Sequence, residues 1–493
     1  MTLTDQLAEA VADPLTHDAF DPHAHLVQVL AGIGMSPADT GGAIAFHGAD
    51  PVVPSTLRLG AASAIALAAK SAAIAKLWRL RGGPGQDIAV DLRVTPHRLC
   101  PFYDRRWELL NGHPPTASSN PSQALGFRFY RTADDRWVMP LNPYPKIKIA
   151  AQRLLDVPDD PDRVAAAIAR RDARELEEAA GAAGVVLPML RTTGELLAER
   201  HYRDVLADLP LIEITKIADS EPEPFPHGAD QPLSGTRALG MGHVIAGAGL
   251  GRALALHGAD VLNLWRPDEF EHDLTYASAN VGVRSVTVDP YQGEGARRIR
   301  ELLASADVFY ANRRPGYLER IGLTAQEAAH LRPGIVHATA SLNGERGPWA
   351  ERVGFDQSAG SLTGMMLLEG GGQRPALPPI LVVNDYIVSW LMAAGVVEAL
   401  TRRATHGGSY RVHVSLTRAA LWILAMGVFD HAYAHETAGH GEQHAYLPPR
   451  TFTADTPLGR YQGVTDQVAM SRTPGRYRTV LVPRGSCRPQ WER

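Results

Sequence analysis

The clearest pattern of apolar and polar positions lies between residues 376 and 418. A short apolar run, Ile380–Val383, predicts a strand, and Asn384 and Asp385 follow it directly. Apolar residues then recur at helical spacing as far as Gly407, which predicts a helix with a glycine stop. Asp385 therefore falls at a predicted helix start, where unpaired backbone N–H groups and the helix dipole stabilise a carboxylate. At that position alone, an aspartate is typical of an ordinary N-cap.

An earlier stretch repeats this pattern 324 positions upstream. Residues 59–80 predict an alanine-rich helix, 81–86 a glycine-rich turn and 87–92 a strand. A shift of 324 places aligns identical residues in the two segments: Leu67 with Leu391, Ala69 with Ala393, Ala75 with Ala399, Arg79 with Arg403, Gly83 with Gly407, Val90 with Val414 and Leu92 with Leu416. The pattern predicts a diverged internal repeat in which Ala61 takes the place of Asp385.

The segment between the two copies predicts a small α/β domain. Two alternating runs on either side of residues 133–135 predict a β-hairpin. Helical periodicity and one apolar run predict the elements that follow: helices near 145–155, 161–182 and 193–203, and a short strand at Val185–Leu190. Two Pro-rich polar segments, 113–122 and 220–235, predict a linker and a domain boundary.

From Gly235 onwards, predicted strands alternate with predicted helices. The apolar strand runs are TRALGMG at 236–242, ADVLNLW at 259–265, VRSVTVD at 283–289, ADVFYAN at 306–312 and GIVHATASL at 334–342. This order predicts a parallel sheet wound with helices on both faces, whose ligands lie beyond the carboxyl ends of the strands. Five arginines are expected at or near those ends: Arg266, Arg284, Arg313, Arg314 and Arg346. They could bind a phosphate-bearing anion, and they are equally typical of solvent-exposed loops.

Composition narrows the class of protein. The 493 residues are 45% hydrophobic and 21% charged, as in a soluble globular protein of two or three domains. A net charge of −4 gives no electrostatic reason to expect a nucleic acid or an acidic membrane as partner. Cys100 and Cys487 are the only cysteines, so we expect neither a disulfide framework nor a thiolate metal cage. The same scarcity of cysteine predicts a cytoplasmic location. Neither a signal peptide nor a membrane span is predicted.

Two other kinds of site fit the sequence less well. The glycines of GHVIAGAGLGR at 242–252 lack the spacing of a dinucleotide-binding turn, and Arg266 stands where an acidic ribose ligand is expected. His431 and His435 are one helical turn apart, but HETAGH is one residue longer than the zinc-protease motif. A polar, partly exposed loop explains this histidine run better, so no metal site is predicted.

Taken in order, the motifs of the second half resemble the family III CoA-transferases, whose relatives include formyl-CoA transferase, carnitine CoA-transferase and alpha-methylacyl-CoA racemase. The resemblance covers about 232–422 and rests on PLSGTRALGMGHV, NVGVRSVTVD, ADVFYANRRPGYLERIGL, GERGPW, GFDQSAGSLTG and VNDYIVSWLMAAGVVEALTRR. It reaches the hairpin DDRWVMPLNP, which is similar to the small domain of the family. The implied fold is α/β, with a doubly wound parallel-sheet CoA-binding lobe and a smaller α/β domain.

The resemblance implies that Asp385 is the nucleophile of a CoA-transferase that works through an aspartyl covalent intermediate. Acyl-CoA and a carboxylic acid are then the substrates, with no permanently bound cofactor. By the same comparison, eight residues line the CoA site: His243, Val244, Ala246, Arg266, Asn312, Arg313, Arg320 and Arg346. One departure from the family is Val283, which stands where a lysine is usual, although Arg284 follows it.

Two alternatives remain open at this stage. The racemase relatives need a histidine at the position of Phe355, which cannot carry a proton, so acyl-CoA racemisation or isomerisation is disfavoured. A non-catalytic acyl-CoA binding protein is favoured by Val283 and by an order of segments that differs from the family. The domains predicted are a degenerate half-copy at 1–112, the small domain at 123–220, the catalytic lobe at 231–425 and a returning tail at 426–493. The resemblance also implies a homodimer of the interlocked kind that the family forms.

Overall fold

The computed structural model describes residues 1–115 and 123–492. The predicted linker at 113–122 lies largely outside the described residues. The strands are β1 Ile44–His47, β2 Ile88–Asp91, β3 Leu109–Leu110, β4 Tyr130–Arg131, β5 Trp137–Val138, β6 Glu213–Ala218, β7 Arg237–Met241, β8 Asp260–Trp265, β9 Arg284–Thr287, β10 Val308–Ala311, β11 Val336–Ser341, β12 Ser409–Ser415, β13 Thr451–Thr456, β14 Gly459–Val464 and β15 Val468–Met470.

The α-helices connect these strands and cover their faces. They are α1 Leu3–Ala12, α2 Pro22–Ala31, α3 Leu59–Leu80, α4 Pro145–Leu155, α5 Pro161–Ile168, α6 Ala173–Ala182, α7 Thr193–Ala198, α8 Ala248–Leu256, α9 Asp273–Ala279, α10 Gly293–Leu303, α11 Tyr317–Ile321, α12 Ala325–Leu331, α13 Asp356–Thr363, α14 Met365–Glu369, α15 Asn384–His406, α16 Leu416–Ala425 and α17 His431–Thr437.

A seven-stranded sheet dominates the second half, in the order β6-β12-β11-β10-β7-β8-β9. All neighbouring pairs are parallel except β12 with β6, which are antiparallel. Successive strand residues alternate between two hydrophobic cores: Ala238, Val261 and Val308 face one core, while Leu239, Leu262 and Phe309 face the other. Helices therefore cover both faces, and the predicted doubly wound α/β fold is confirmed.

The core helix α15 packs lengthwise against α3, and it also contacts α8 and the strands β11 and β12. The helix α3 is long and apolar enough to cross a membrane by length and composition, but 94% of its most apolar window is buried within the protein. On the far side of α3, a small sheet joins β1, β2 and β15, with β1 parallel to β2. The first copy of the predicted repeat is thus a second β–α–β layer behind the large sheet.

Several element predictions are wrong in detail. The predicted strand Ile380–Val383 is a tight turn, because Pro378 and Pro379 supply no N–H groups and Leu381 has a φ of 64°. Local hydrogen bonds take its place: the Val382 N–H donates to the Ile380 carbonyl at 2.7 Å. The predicted histidine loop contains α17 instead, which Asp430 caps by accepting from the Tyr433 N–H.

Two further corrections concern the small domain. The run Val185–Leu190 forms no strand, since the Asn142 side-chain amide pairs with both the N–H and the carbonyl of Val186. The predicted helix 161–182 is two helices, α5 and α6, because Asp134 accepts from the N–H of Ala173 and so starts α6 afresh. The predicted small-domain segment also ends in β6, which joins the large sheet.

Candidate active site

Asp385 is the second residue of α15, and another aspartate supplies the cap that its position suggested. Asp356, at the start of α13, points its Oδ2 at the first turn of α15. That oxygen accepts from the N–H groups of Val383 and Asp385, each at 3.0 Å, and from the N–H between them, that of Asn384. Because Asp356 satisfies these donors, the carboxylate of Asp385 is released from capping.

Burial and a neighbouring charge set the protonation of the two aspartates. Asp385 is 6% exposed, and burial, followed by the charge of Asp356, raises its pKa well above the usual range. Burial also raises the pKa of Asp356, to about 6, although the three backbone N–H donors oppose the rise. Within residues 1–115 and 123–492, no donor or cation offsets the rise at Asp385. Asp356 is therefore the better-stabilised anion, and Asp385 holds its proton more tightly.

An aromatic wall lies beside this helix start, because its Phe355 directly precedes Asp356. Tyr144, the residue before α4, lies parallel to Phe355 with ring centroids 5.8 Å apart, and it contacts the rings of His243 and His272 at 5.4 and 4.8 Å. Burial, then Glu271, then Asp385 raise the pKa of the Tyr144 hydroxyl well above its ordinary value. Tyr144 therefore lies within the electrostatic range of Asp385.

The carboxylate of Glu271 joins this wall to the turn between β7 and α8. It accepts from the Tyr144 hydroxyl at 2.6 Å, from the Val244 N–H at 2.9 Å and from the His272 N–H at 2.9 Å. His243 Nε2 lies 3.4 Å from the same carboxylate, and the Glu271 side chain is only 1% exposed. A glutamate on the loop after β8 is thus buried in the site and saturated with donors.

The β7–α8 turn brings together several of the predicted CoA contacts. Val244 has a φ of 58°, an unusual conformation for a β-branched residue, and its N–H is aimed at Glu271. The side chain of Asn312 pairs with both the N–H and the carbonyl of His243, at 2.8 Å each. The carbonyl of Ala246, a buried residue, accepts from Ser389 Oγ at 2.9 Å, which ties the turn to α15 one helical turn after Asp385.

Three predicted arginines gather around Tyr317 at the start of α11. The guanidinium groups of Arg266, Arg313 and Arg320 lie 5.8, 5.5 and 5.9 Å from its ring centroid. Arg313 is paired with Glu269 through both carboxylate oxygens and donates to the Met241 carbonyl at 2.8 Å. This cluster lies at the carboxyl ends of β8 and β10, where a phosphate-bearing ligand was expected.

The remaining predicted basic residues lie elsewhere. Arg346 is exposed after β11, and it acts electrostatically on His413 of β12, apart from the cluster at Tyr317. Arg284 was expected at a carboxyl end, but it is the first residue of β9 and pairs with Asp260, the first residue of β8, at 2.6 Å. That placement is wrong because β9 begins at Arg284. Arg284 therefore lies at the amino ends of the strands, opposite the carboxyl ends where a ligand is expected.

Sequence reasoning missed three residues of the site: Asp356, Tyr144 and Glu271. A signal existed for Asp356, because it directly follows Phe355 in the GFD segment at 354–356, one of the motifs that carry the family resemblance. No spacing signal existed for the other two, since Tyr144 and Glu271 are 127 residues apart along the chain.

Comparisons with known proteins identify the family that this chain resembles in sequence. The sequence model described as CoA-transferase family III matches residues 233–477. The alpha subunit of succinyl-CoA–L-malate CoA-transferase from Chloroflexus aurantiacus is 32% identical over 227 residues, which is 42% of this chain and 53% of that protein. The acetyl-coenzyme A transferase nodX of Hypoxylon pulicicidum is 28% identical over 244 residues, which is 46% of this chain and 41% of that protein.

The chain therefore spans about half the length of the curated relatives that it matches. Among solved structures, a CAIB/BAIF family protein from Brucella suis is 24% identical, with a TM-score of 0.37, and the match covers 47% of this chain and 65% of that one.

Proposed function

The chain belongs to CoA-transferase family III through residues 233–477, and from this premise we propose that it moves CoA from an acyl-CoA to a carboxylic acid through Asp385. One observation carries the proposal. Asp356 caps the start of α15, so the carboxyl group of Asp385, which lies there beside the β7–α8 turn, takes no part in capping. A helix start with its own cap leaves the second carboxylate available for chemistry.

The proposed reaction needs only the carboxylate of Asp385 and the two substrates. The carboxylate attacks the thioester carbonyl, the C–S bond breaks, and CoA leaves as a thiolate from a mixed anhydride. The thiolate then attacks the aspartyl carbonyl, which releases the donor acid and leaves an aspartyl-CoA thioester. The acceptor carboxylate repeats these two steps in reverse order, so that acyl-CoA is formed and Asp385 is regenerated. Each step exchanges one acyl bond for another.

The surroundings of Asp385 suit this sequence. Its raised pKa means that the nucleophilic anion forms at a higher pH than for an exposed aspartate, and an anion formed in a buried site is a stronger nucleophile. Tyr144 and Phe355 stack on each other beside Asp356, and these rings would keep water from hydrolysing the anhydride.

The CoA moiety is proposed to lie across the carboxyl ends of β7, β8 and β10. Arg266 and Arg320 are the cations of the Tyr317 cluster best suited to its phosphates, because Arg313 is paired with the buried Glu269, whereas the partner of Arg266, Asp268, is exposed. The arm of CoA that leads from its phosphates to Asp385 would lie against four residues: His243, Val244, Ala246 and Asn312. Arg346 is proposed as a more distant contact. A homodimer and a cytoplasmic location remain part of the proposal.

The identity of the acids is left open by the relatives. The name of one includes succinyl and malate groups, which belong to dicarboxylic acids, and the name of another includes the acetyl group of a monocarboxylic acid. Any acid of this kind presents the same reacting carboxylate, so the pocket around the acyl group decides among them.

Chemical trapping tests the proposal directly. The protein is incubated with a panel of acyl-CoAs, quenched with hydroxylamine or borohydride, and digested for peptide mass analysis. We expect modification of Asp385 in the wild type and none in Asp385→Ala. CoA binding without any adduct at Asp385 would contradict the transferase proposal and favour the acyl-CoA binding alternative.

A further inference from the structure

We infer that Gln357 is a positioning residue for Asp385: its side chain holds the turn before α15 in the conformation that leaves Asp385 free to react. The inference rests on the proposed function, because it concerns the reaction of Asp385. It adds to that function a residue that belongs neither to the reacting groups nor to the proposed CoA contacts.

The first step is the strained backbone of the turn that precedes Asp385. Leu381 has a φ of 64°, in the left-handed region that branched apolar residues rarely adopt. Among the described residues, the other apolar residue with a positive φ is Val244 of the β7–α8 turn, at 58°. Such a conformation persists only where the surrounding structure imposes it. The turn at Leu381 therefore needs a contact that holds it.

The second step is the contact that holds the turn. Gln357 is the second residue of α13 and only 2% exposed. Its Nε2 donates to the carbonyl of Leu381 at 2.7 Å. If Leu381 relaxed to a negative φ, its carbonyl would rotate away, and the buried amide of Gln357 would lose this acceptor at a cost in free energy. The hydrogen bond thus favours the left-handed conformation over the relaxed one.

The third step is the effect of this turn on the start of α15. Asp356, which precedes Gln357, accepts from the N–H groups of Val383 and Asp385 at 3.0 Å each. The first two residues of α13 therefore hold one short segment, by the carbonyl of Leu381 at one end and by N–H groups at the other. A rotation at Leu381 would turn the peptide planes that follow it, so the N–H groups would no longer point at Asp356.

The fourth step is the consequence for the nucleophile. N–H groups of a helix start that lose their cap are free to bind another nearby carboxylate. Asp385 would then accept hydrogen bonds from its own helix start. A carboxylate stabilised in this way is a weaker nucleophile and ionises at lower pH. Gln357 thus maintains the division of roles in which Asp356 caps the helix and Asp385 reacts.

The kinetics of two variants and of their combination test the inference. Gln357→Met keeps the length of the side chain and removes the donor, so kcat should fall by roughly 10- to 100-fold while KM for the acyl-CoA changes less than about threefold. Glycine adopts a positive φ without steric cost, so Leu381→Gly should keep the turn without help from Gln357. In the Leu381→Gly background, Gln357→Met should lower kcat by less than about threefold.

This comparison separates positioning from a merely structural role. If Gln357 only stabilises α13, its loss lowers kcat equally in both backgrounds, and the inference is overturned. Gln357→Met alone could fail to fold, and the double variant with Leu381→Gly should then fold and transfer CoA. Failure of the double variant to fold would also overturn the inference, because relief of the strain should restore the turn.

Gln86→Met is the matched control for the loss of a buried amide. Gln86 is also 2% exposed, and its Nε2 donates to the Thr473 hydroxyl at 2.9 Å, in the contact between the first copy and the tail. This variant should lower the melting temperature and leave kcat unchanged. A fall in kcat equal to that of Gln357→Met would contradict a specific role for Gln357.

Chemical labelling separates this inference from the proposed function. A carbodiimide with an added amine modifies protonated carboxyl groups, and peptide mass analysis follows the labelling of Asp385 across a pH series without CoA transfer. Gln357→Met should move the midpoint of this labelling to lower pH by about one unit, because Asp385 gains N–H donors. The variant keeps the titratable groups that act on Asp385: Asp356, Tyr144 and Cys100.

The outcome of the labelling is decisive with or without turnover. A shift in Gln357→Met that is absent from Gln86→Met would support the inference even if no CoA transfer were detected. Equal midpoints in the wild type and in Gln357→Met would refute it even in an active transferase.

Discussion

The starts of α3 and α15 are built in the same way but carry different side chains. Asp50 accepts from the N–H groups of Gly60 and Ala61 at 3.0 and 2.7 Å, as Asp356 accepts from the first turn of α15. The two acceptors differ in sequence distance, since Asp50 precedes Ala61 by 11 residues and Asp356 precedes Asp385 by 29. In both cases a buried carboxylate from an earlier segment of the chain caps the helix.

The strands around the two helices match as well. The helix α3 lies between the parallel strands β1 and β2, and α15 lies between the parallel strands β11 and β12. The two helices pack against each other along their length. These shared features favour the predicted internal repeat, which remains a prediction.

The difference between the copies separates architecture from chemistry. Burial raises the pKa of Asp50 as it does that of Asp356, so both caps are buried acids that the fold tolerates for the hydrogen bonds they accept. Only the second copy adds another carboxyl group, Asp385, which accepts no hydrogen bond within the described residues. A buried acid without donors destabilises a protein, which is expected for a group kept for reaction.

The largest expected effect comes from making the second copy resemble the first. Asp385→Asn should reduce CoA transfer by roughly 10,000-fold, because the amide is not a nucleophile. The same change should leave the melting temperature unchanged or raise it, since it removes the charge of a buried acid. Activity assays and thermal unfolding of the same preparation check both expectations. A variant that keeps its activity would show that Asp385 is not the nucleophile.

Which of these features the sequence predicts depends on how far apart in the chain the contacting residues lie. Apolar alternation is local, and it located β7, β8, β10 and β11 to within about two residues. The caps could not be predicted in the same way, because Asp50 and Asp356 are separated from their helices by segments of unequal length, the second of which contains α13 and α14. The contact of Tyr144 with Glu271 joins segments far apart in the chain, and no periodicity records such a contact.

The reverse change makes the first copy resemble the second. Ala61→Asp should lower the free energy of unfolding by roughly 3 kcal/mol or more, because Ala61 is fully buried and the new carboxylate lies beside Asp50. It should add no CoA transfer. Chemical denaturation measures the loss, and Ala61→Ser serves as a smaller polar control. An Ala61→Asp variant as stable as the wild type would contradict this expectation, because it would mean that the start of α3 has room or solvent for a second carboxylate.

A smaller effect concerns Glu369 at the end of α14, which accepts from the Ser55 hydroxyl in the loop before α3. Burial raises its pKa from 4.5 to about 7, which corresponds to roughly 3 kcal/mol. Glu369 then binds its proton more tightly in the folded state than in the unfolded state. Its contribution to the free energy of unfolding is therefore fully present below pH 4.5 and is lost as the pH rises through 7. Glu369→Gln should flatten that part of the stability curve, which denaturation at pH 5, 6, 7 and 8 would reveal. Parallel curves for the two proteins would contradict the expected proton uptake.

The most delicate test changes the cap and keeps the nucleophile. In Asp356→Asn, the amide oxygen can still accept from the N–H groups of Val383 and Asp385, but the negative charge is gone. The reaction requires the ionised form of Asp385, and the charge of Asp356 raises the pKa of that group. Wild-type activity should therefore fall with decreasing pH through this raised pKa, and in the variant the fall should move to lower pH. The pH profile of kcat/KM measures the shift, with Asp50→Asn in the first copy as the matched control. An unchanged acid limb in Asp356→Asn would mean that burial alone sets the pKa of Asp385, and a shift in Asp50→Asn would mean that the effect is not local to the second copy.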